Sequence, residues 1–168
     1  MTENAVTLGL DPGLAVTGYG VIQALPNGWK VLAGGVIKTA EGTPRAQRLR
    51  EIYEQARDLI ATYHPAGVAI EEVYLAKNAR TAMLTAETRG ALLLATSGTP
   101  VHGYTPLQVK KRITGYGKAP KSQVQAMVKQ LLHLSEIPRP DDVADGIALA
   151  LCYLLDLQGV NVKDHVYL

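Results

Sequence analysis

AVTLGLDPG (residues 5–13), TGYGVIQAL (17–25) and WKVLAGGVIKT (29–39) are the stretches that decide the architecture of this chain. The first is a short apolar run stopped by Asp-Pro-Gly, which predicts a buried strand and a turn. The other two flank Pro26-Asn27-Gly28 and predict a β-hairpin. Working outward, residues 44–63 place Leu49, Ile52, Tyr53, Ala56, Leu59, Ile60 and Tyr63 at helical spacing behind Thr43-Pro44. GVAIEEV (67–73) reads as another buried strand. Residues 77–97 contain no Pro and one interior Gly, Gly90, and so predict a long helix. VHGYT (101–105) predicts a short strand, and Pro106 opens a helix to Thr114. The connector GYGKAP leads to a helix over 121–134, and Pro138 and Pro140 interrupt the chain before a last helix over 141–157. This order mixes antiparallel and parallel connections, for which an α/β sheet with helices on both faces is the economical solution.

Composition narrows the class. At 168 residues the chain is expected to form one domain, 1–168, with 159–168 as an unclassified tail. With 47% hydrophobic and 19% charged residues, disorder is excluded for most of its length. Cys152 is the one cysteine, which excludes a disulfide framework and disfavours a Cys-ligated zinc. No apolar run approaches the roughly 18–20 residues of a membrane span. The N-terminus lacks a basic leader region and Asp11 interrupts its apolar stretch, so a cytoplasmic protein without membrane partners is expected.

The net charge of +2 hides an asymmetry. Residues 101–140 carry seven Lys/Arg against Glu136 alone, whereas residues 141–168 carry Lys163 against five acids. A polyanion-binding surface beside a cation-seeking site would need this arrangement.

Four acids sit where burial makes charge costly. Asp11 ends the first strand and Glu71 the strand after the first long helix. Asp142 and Asp145 open the last helix and, at i and i+3, share a face. Strand alternation groups Thr7, Gly9 and Asp11, and likewise Gly67, Ala69 and Glu71, so small neighbours are expected to leave room beside both carboxylates. Each acid alone has a structural explanation: a turn residue at Asp11, a solvated strand end at Glu71 and Glu72, helix capping at Asp141, Asp142 and Asp145. Converging carboxylates repel unless cations neutralise them, and hard divalent ions such as Mg²⁺ do so. The basic block supplies Lys110, Lys111, Arg112, Lys118 and Lys121, with Tyr116 among them, a composition suited to phosphate contacts and base stacking; a solvated basic helix face would look the same. Tyr74, just past Glu71, is core filler or a stacking residue.

With these residues in view, LGLDPGLAVTGYGVI (8–22), AIEEVYLAKNARTA (69–82), QVKKRITGYGKAPKSQVQAMVKQLL (108–132) and DDVADGIALAL (141–151) closely resemble the bacterial RuvC Holliday-junction resolvases. The resemblance covers about residues 5–157 in the family's order. It implies a ribonuclease H-like fold: a five-stranded mixed sheet whose first three strands are antiparallel, with two more parallel to the first. It also implies a homodimer and metal-dependent cutting of two strands in a four-way DNA junction. It carries catalysis and metal binding onto Asp11, Glu71, Asp142 and Asp145, with Asp141 as the alternative at its pair. Two Mg²⁺ per site are implied, with Mn²⁺ as a substitute, and water attack in line would leave a 5′-phosphate and a 3′-hydroxyl. DNA contacts are expected at Tyr74, Lys77, Lys110, Lys111, Arg112, Tyr116, Lys118 and Lys121. Docking to a branch-migration motor is implied by the family alone.

Three other readings stand beside it. A ribonuclease H-like nuclease acting on RNA would share the acids. An actin- or hexokinase-type phosphotransferase is suggested by Asp-x-Gly before a Gly-rich hairpin, but that fold usually duplicates the unit. A non-catalytic junction-binding module would tolerate loss of the acids. For assembly, Ala82, Ala86 and Gly90 form a small-residue stripe on the 77–97 helix, beside Met83, Leu84 and Leu92 to Leu94. That helix is either an isologous dimer surface or a core element.

Overall fold

In the structure, a computed structural model that describes residues 4–73 and 78–160, five strands form one mixed sheet. The strands are β1 (Val6–Asp11), β2 (Val16–Leu25), β3 (Gly28–Lys38), β4 (Gly67–Glu71) and β5 (Val101–Tyr104), in the spatial order β3-β2-β1-β4-β5. β1, β2 and β3 are antiparallel neighbours, while β4 runs parallel to β1 and β5 parallel to β4. The hairpin expected at Pro26-Asn27 is present, and Val21/Ile22 pair across a bulge that leaves Leu32 without a partner of its own. The extra residue shifts the register of β3 against β2 by one at that point.

Among the described residues there are five helices: α1 (Arg45–Tyr63), α2 (Ala79–Ala95), α3 (Pro106–Thr114), α4 (Lys121–Leu131) and α5 (Asp141–Gln158). Their ends follow local chemistry. Asn78 accepts from the Arg80 and Thr81 amides to start α2, and Thr105 with Gln108 forms a reciprocal capping box around Pro106 to start α3. α4 stops at Leu131, short of the expected 134, because His133 turns left-handed at φ 50°. The Leu134 amide then donates to the Lys129 carbonyl at 2.9 Å and closes the helix end.

The sheet has a core on each face. Leu8, Leu10, Val21, Ile37, Ile52, Val68, Ile70 and Leu92 fill the side covered by α1 and α2. On the other side Ala69, Ile113, Val128 and the apolar length of α5 pack together. α5 is buried almost all round, from Val143 to Leu155, as expected of a helix whose apolar residues leave no wet face. It lies across β1, β2, β3 and β4. The Thr7 hydroxyl, buried between them, donates to the Ala150 carbonyl at 2.9 Å and fixes its position along β1.

Candidate active site

β1 and β4 run parallel with Leu10 opposite Ile70, so Asp11 and Glu71 stand side by side at the C-terminal ends of neighbouring strands. Asp11 donates a hydrogen bond to Glu71. Asp145 reaches the pair from the second turn of α5. The glycines decide how close that helix comes. A Cβ on Gly9 would lie 2.0 Å from the Gly146 carbonyl, and one on Gly18 would lie 1.9 Å from the Asp142 carbonyl. The small residues on the acid-bearing face therefore do not leave space, as the sequence suggested. The α5 backbone takes that space, and this brings the acids of α5 to those of the sheet.

Asp11, Glu71 and Asp145 line one cavity of about 230 Å³ together with Lys110 and Lys121. Val109, Val124, Ala148 and Leu149 form its apolar wall. Burial, then the charges of Glu71 and Asp145, push the Asp11 carboxyl up to about 8. Burial also raises Glu71, against the opposing pull of its hydrogen bond from Asp11. Asp145 is raised by burial as well, although Lys121 Nζ stands 2.9 Å from its Oδ2 and opposes the shift. Burial lowers the Lys121 ammonium, but Asp145 and Asp141 outweigh it and hold the proton more firmly than usual.

The neighbouring aspartates differ. Asp142 adds to the field that raises Asp11, whereas Asp141, ahead of Asp142, adds with it to the field that raises Asp145. Asp141 faces elsewhere: it accepts from Gln125 at 3.2 Å and from Arg139 at 2.7 Å, and lies 3.6 Å from Lys121. The Gln125 hydrogen bond, with Lys121 and Arg139, holds its carboxyl below the ordinary value.

The basic block divides in two. Lys110 and Lys121 face the acids, while Lys111 and Arg112 line a separate cavity of about 600 Å³ with His102, Tyr104 and Asp156. Arg112 Nε is 2.6 Å from Asp156 Oδ1, and the Tyr104 hydroxyl donates to the other oxygen of the same carboxylate. Tyr116 and Lys118 are exposed on the connector between α3 and α4. Tyr74 and Lys77 lie outside the described residues. Sequence reasoning missed Gln125, the Arg112–Asp156–Tyr104 cluster and Arg89, which reaches the backbone of Glu71. Their partners are distant in the chain, so no spacing marks them.

Among the described residues, no three His, Cys, Asp or Glu side chains are arranged as a metal cage. Lys121 engages Asp145, and a hydrogen bond links Asp11 to Glu71. The donor set still suits a hard divalent cation, being carboxylate oxygens held against their own repulsion.

Residues 7–153 match the profile of the family described as Crossover junction endodeoxyribonuclease RuvC. The chain belongs to the RuvC family. RuvC proteins are crossover junction endodeoxyribonucleases, hydrolases of DNA phosphodiester bonds. A RuvC from Desulforamulus reducens is 49% identical over 150 residues, which is 88% of this chain and 92% of that protein. One from Caldicellulosiruptor saccharolyticus is 47% identical over 161 residues, covering 94% and 96%. Among solved structures, T. thermophilus RuvC in complex with a Holliday junction substrate superimposes with TM-score 0.87 at 33% identity, covering 92% of this chain and 96% of that one. The fold is accordingly ribonuclease H-like. The yeast mitochondrial Holliday junction resolvase Ydc2 shares that fold with TM-score 0.66 at 11% identity. No helix among the described residues is long and apolar enough to cross a membrane.

Proposed function

We propose that this chain resolves four-way DNA junctions in the cytoplasm by paired, symmetric phosphodiester hydrolysis, leaving 5′-phosphate and 3′-hydroxyl ends. The observation that carries this reading is the single cavity in which Asp11, Glu71 and Asp145 meet Lys110 and Lys121. Asp11, on which the charges of Glu71, Asp145 and Asp142 all act, would serve both halves of the site. Glu71 would complete one half, and Asp145 with Asp142 the other. Two Mg²⁺, or Mn²⁺ in their place, would be held by these four carboxylates and would supply the positive charge that stabilises the attacking and leaving oxygens. Asp11 would act there in its ionised form, its proton passing to solvent, and Lys121 would turn from Asp145 to a DNA phosphate. Lys110 contacts the backbone from the other wall.

Two cuts require two sites, and one chain carries one set of acids. An isologous dimer on the outer face of α2 meets this need. Ala82 and Leu92 belong to the protein's own core, whereas Met83 is 66% and Leu94 63% exposed, with Ala86 and Gly90 between them. Association with a branch-migration motor belongs to the same reading and is carried by family membership.

The test is cleavage of a mobile four-way junction, a linear duplex and an RNA·DNA hybrid by wild type and Asp11→Asn, with and without Mg²⁺. Wild type should cut the junction alone, and only with the metal, while Asp11→Asn should bind without cutting. Preferential cutting of the hybrid would replace this reading by that of an RNA-directed nuclease.

A further inference from the structure

β4 is hydrogen-bonded on both sides, and its two sides can be told apart. The Val68 amide donates to the Pro100 carbonyl at 2.8 Å and the Glu72 amide to the Tyr104 carbonyl at 2.9 Å, so these residues face β5. Alternation along an extended strand turns the peptide groups of Gly67, Ala69 and Glu71 the other way, towards β1. There the parallel register runs from Thr7 opposite Gly67 to Leu10 opposite Ile70. The next donor along β1 for the Glu71 carbonyl is residue 12, which is Pro and has no N–H. The ladder thus stops one bond short, at the residue that carries the site carboxylate. A side chain from α2 supplies the bond: Arg89 Nε donates to the Glu71 carbonyl at 3.2 Å.

We propose that Arg89 is a positioning residue for the acidic site, standing in for the donor that Pro12 lacks and fixing the strand end from which Glu71 reaches Asp11. The proposal rests on the reading of Glu71 as a site carboxylate. It also ties α2 to the chemistry, since the helix that holds Glu71 on its inner side exposes Met83 and Leu94 on its outer side.

Arg89→Met keeps the apolar stem and removes the donor, and Arg89→Lys restores a donor on a similar stem. Glu71→Gln tests the site itself. Arg45→Ala breaks the ion pair with Glu87, where Nε and Oε2 are 3.3 Å apart, without touching β4. Single-turnover cleavage, junction Kd and Tm are measured for all four. Arg89→Met should cut about 10–100-fold more slowly, the usual cost of losing a supporting hydrogen bond. Its Kd and Tm should stay close to wild type, with a raised half-saturating Mg²⁺ concentration. Arg89→Lys should recover part of the rate, and Arg45→Ala should cut normally. If Glu71→Gln is inactive while Arg89→Met cuts at the wild-type rate, the positioning role is wrong and the site stands. If Glu71→Gln itself cuts normally, the site reading falls and the positioning role with it. Equal losses of rate, affinity and Tm in Arg89→Met, without recovery in Arg89→Lys, would make Arg89 a structural residue only.

Discussion

Asp11 is the residue on which the site's electrostatics converge. Its carboxyl is pushed up to about 8, first by burial and then by Glu71 and Asp145, so near neutrality the folded chain keeps a proton that the unfolded chain has lost. A carboxyl raised on folding contributes its full stability below the unfolded value, near 4. That contribution is lost as pH rises through 8. Asparagine has the shape of the neutral acid and nothing to lose. In EDTA, Asp11→Asn should therefore match wild type near pH 4 and melt several degrees higher near pH 8. Adding Mg²⁺ should raise the Tm of wild type, with proton release, and leave the variant unmoved. Parallel melting curves across that pH range would show that Asp11 ionises freely and is not held by the other acids. That Asp11 and Glu71 matter is legible in the sequence, because an acid at the end of an apolar run is expensive wherever the strand goes. The hydrogen bond between them is not, since it depends on a distance across two strands that β2, β3 and α1 separate in the chain.

At the scale of elements, α3, the connector and α4 form a basic segment of which one part faces the acids. Lys110 and Lys121 line their cavity, but Arg112 is engaged by Asp156. Removing a true phosphate contact should lower the slope of log affinity against log salt by about 0.7–0.9. Lys110→Ala and Lys121→Ala should each do so in a junction-binding salt titration. Arg112→Ala should leave the slope unchanged and instead lower Tm, because Asp156 and the Tyr104 hydroxyl would lose their cationic partner. A slope change in Arg112→Ala, or none in either lysine variant, would redraw the DNA face. The sequence shows seven cations in forty residues as one block, since charge counts carry no direction. The structure divides that block on α3 itself, where Lys110 lines the acidic cavity and the adjacent Lys111 and Arg112 line the other.

At the scale of the whole molecule, one set of acids must serve a substrate with two strands to cut. Mixing wild type with excess Asp11→Asn should therefore yield junctions nicked on one strand, through heterodimers. Leu94→Glu should shift sedimentation towards the monomer and reduce paired cutting while single nicks persist. A wild-type monomer that still cuts both strands together would dispose of the symmetric mechanism.

The elements and their order are legible in the chain alone. Apolar alternation, prolines and the Pro-Asn-Gly turn act over a few residues and need no partner, so all five strands and five helices lie close to where the pattern predicts them. The family is legible there too, through motifs that are contiguous in the chain. The site's shape comes from packing between elements. The approach of α5 to Gly9 and Gly18, the Lys121–Asp145 pair and the reach of Arg89 to Glu71 each join residues from separate elements. Such contacts are set by packing across the sheet, where distance along the chain no longer measures distance in space.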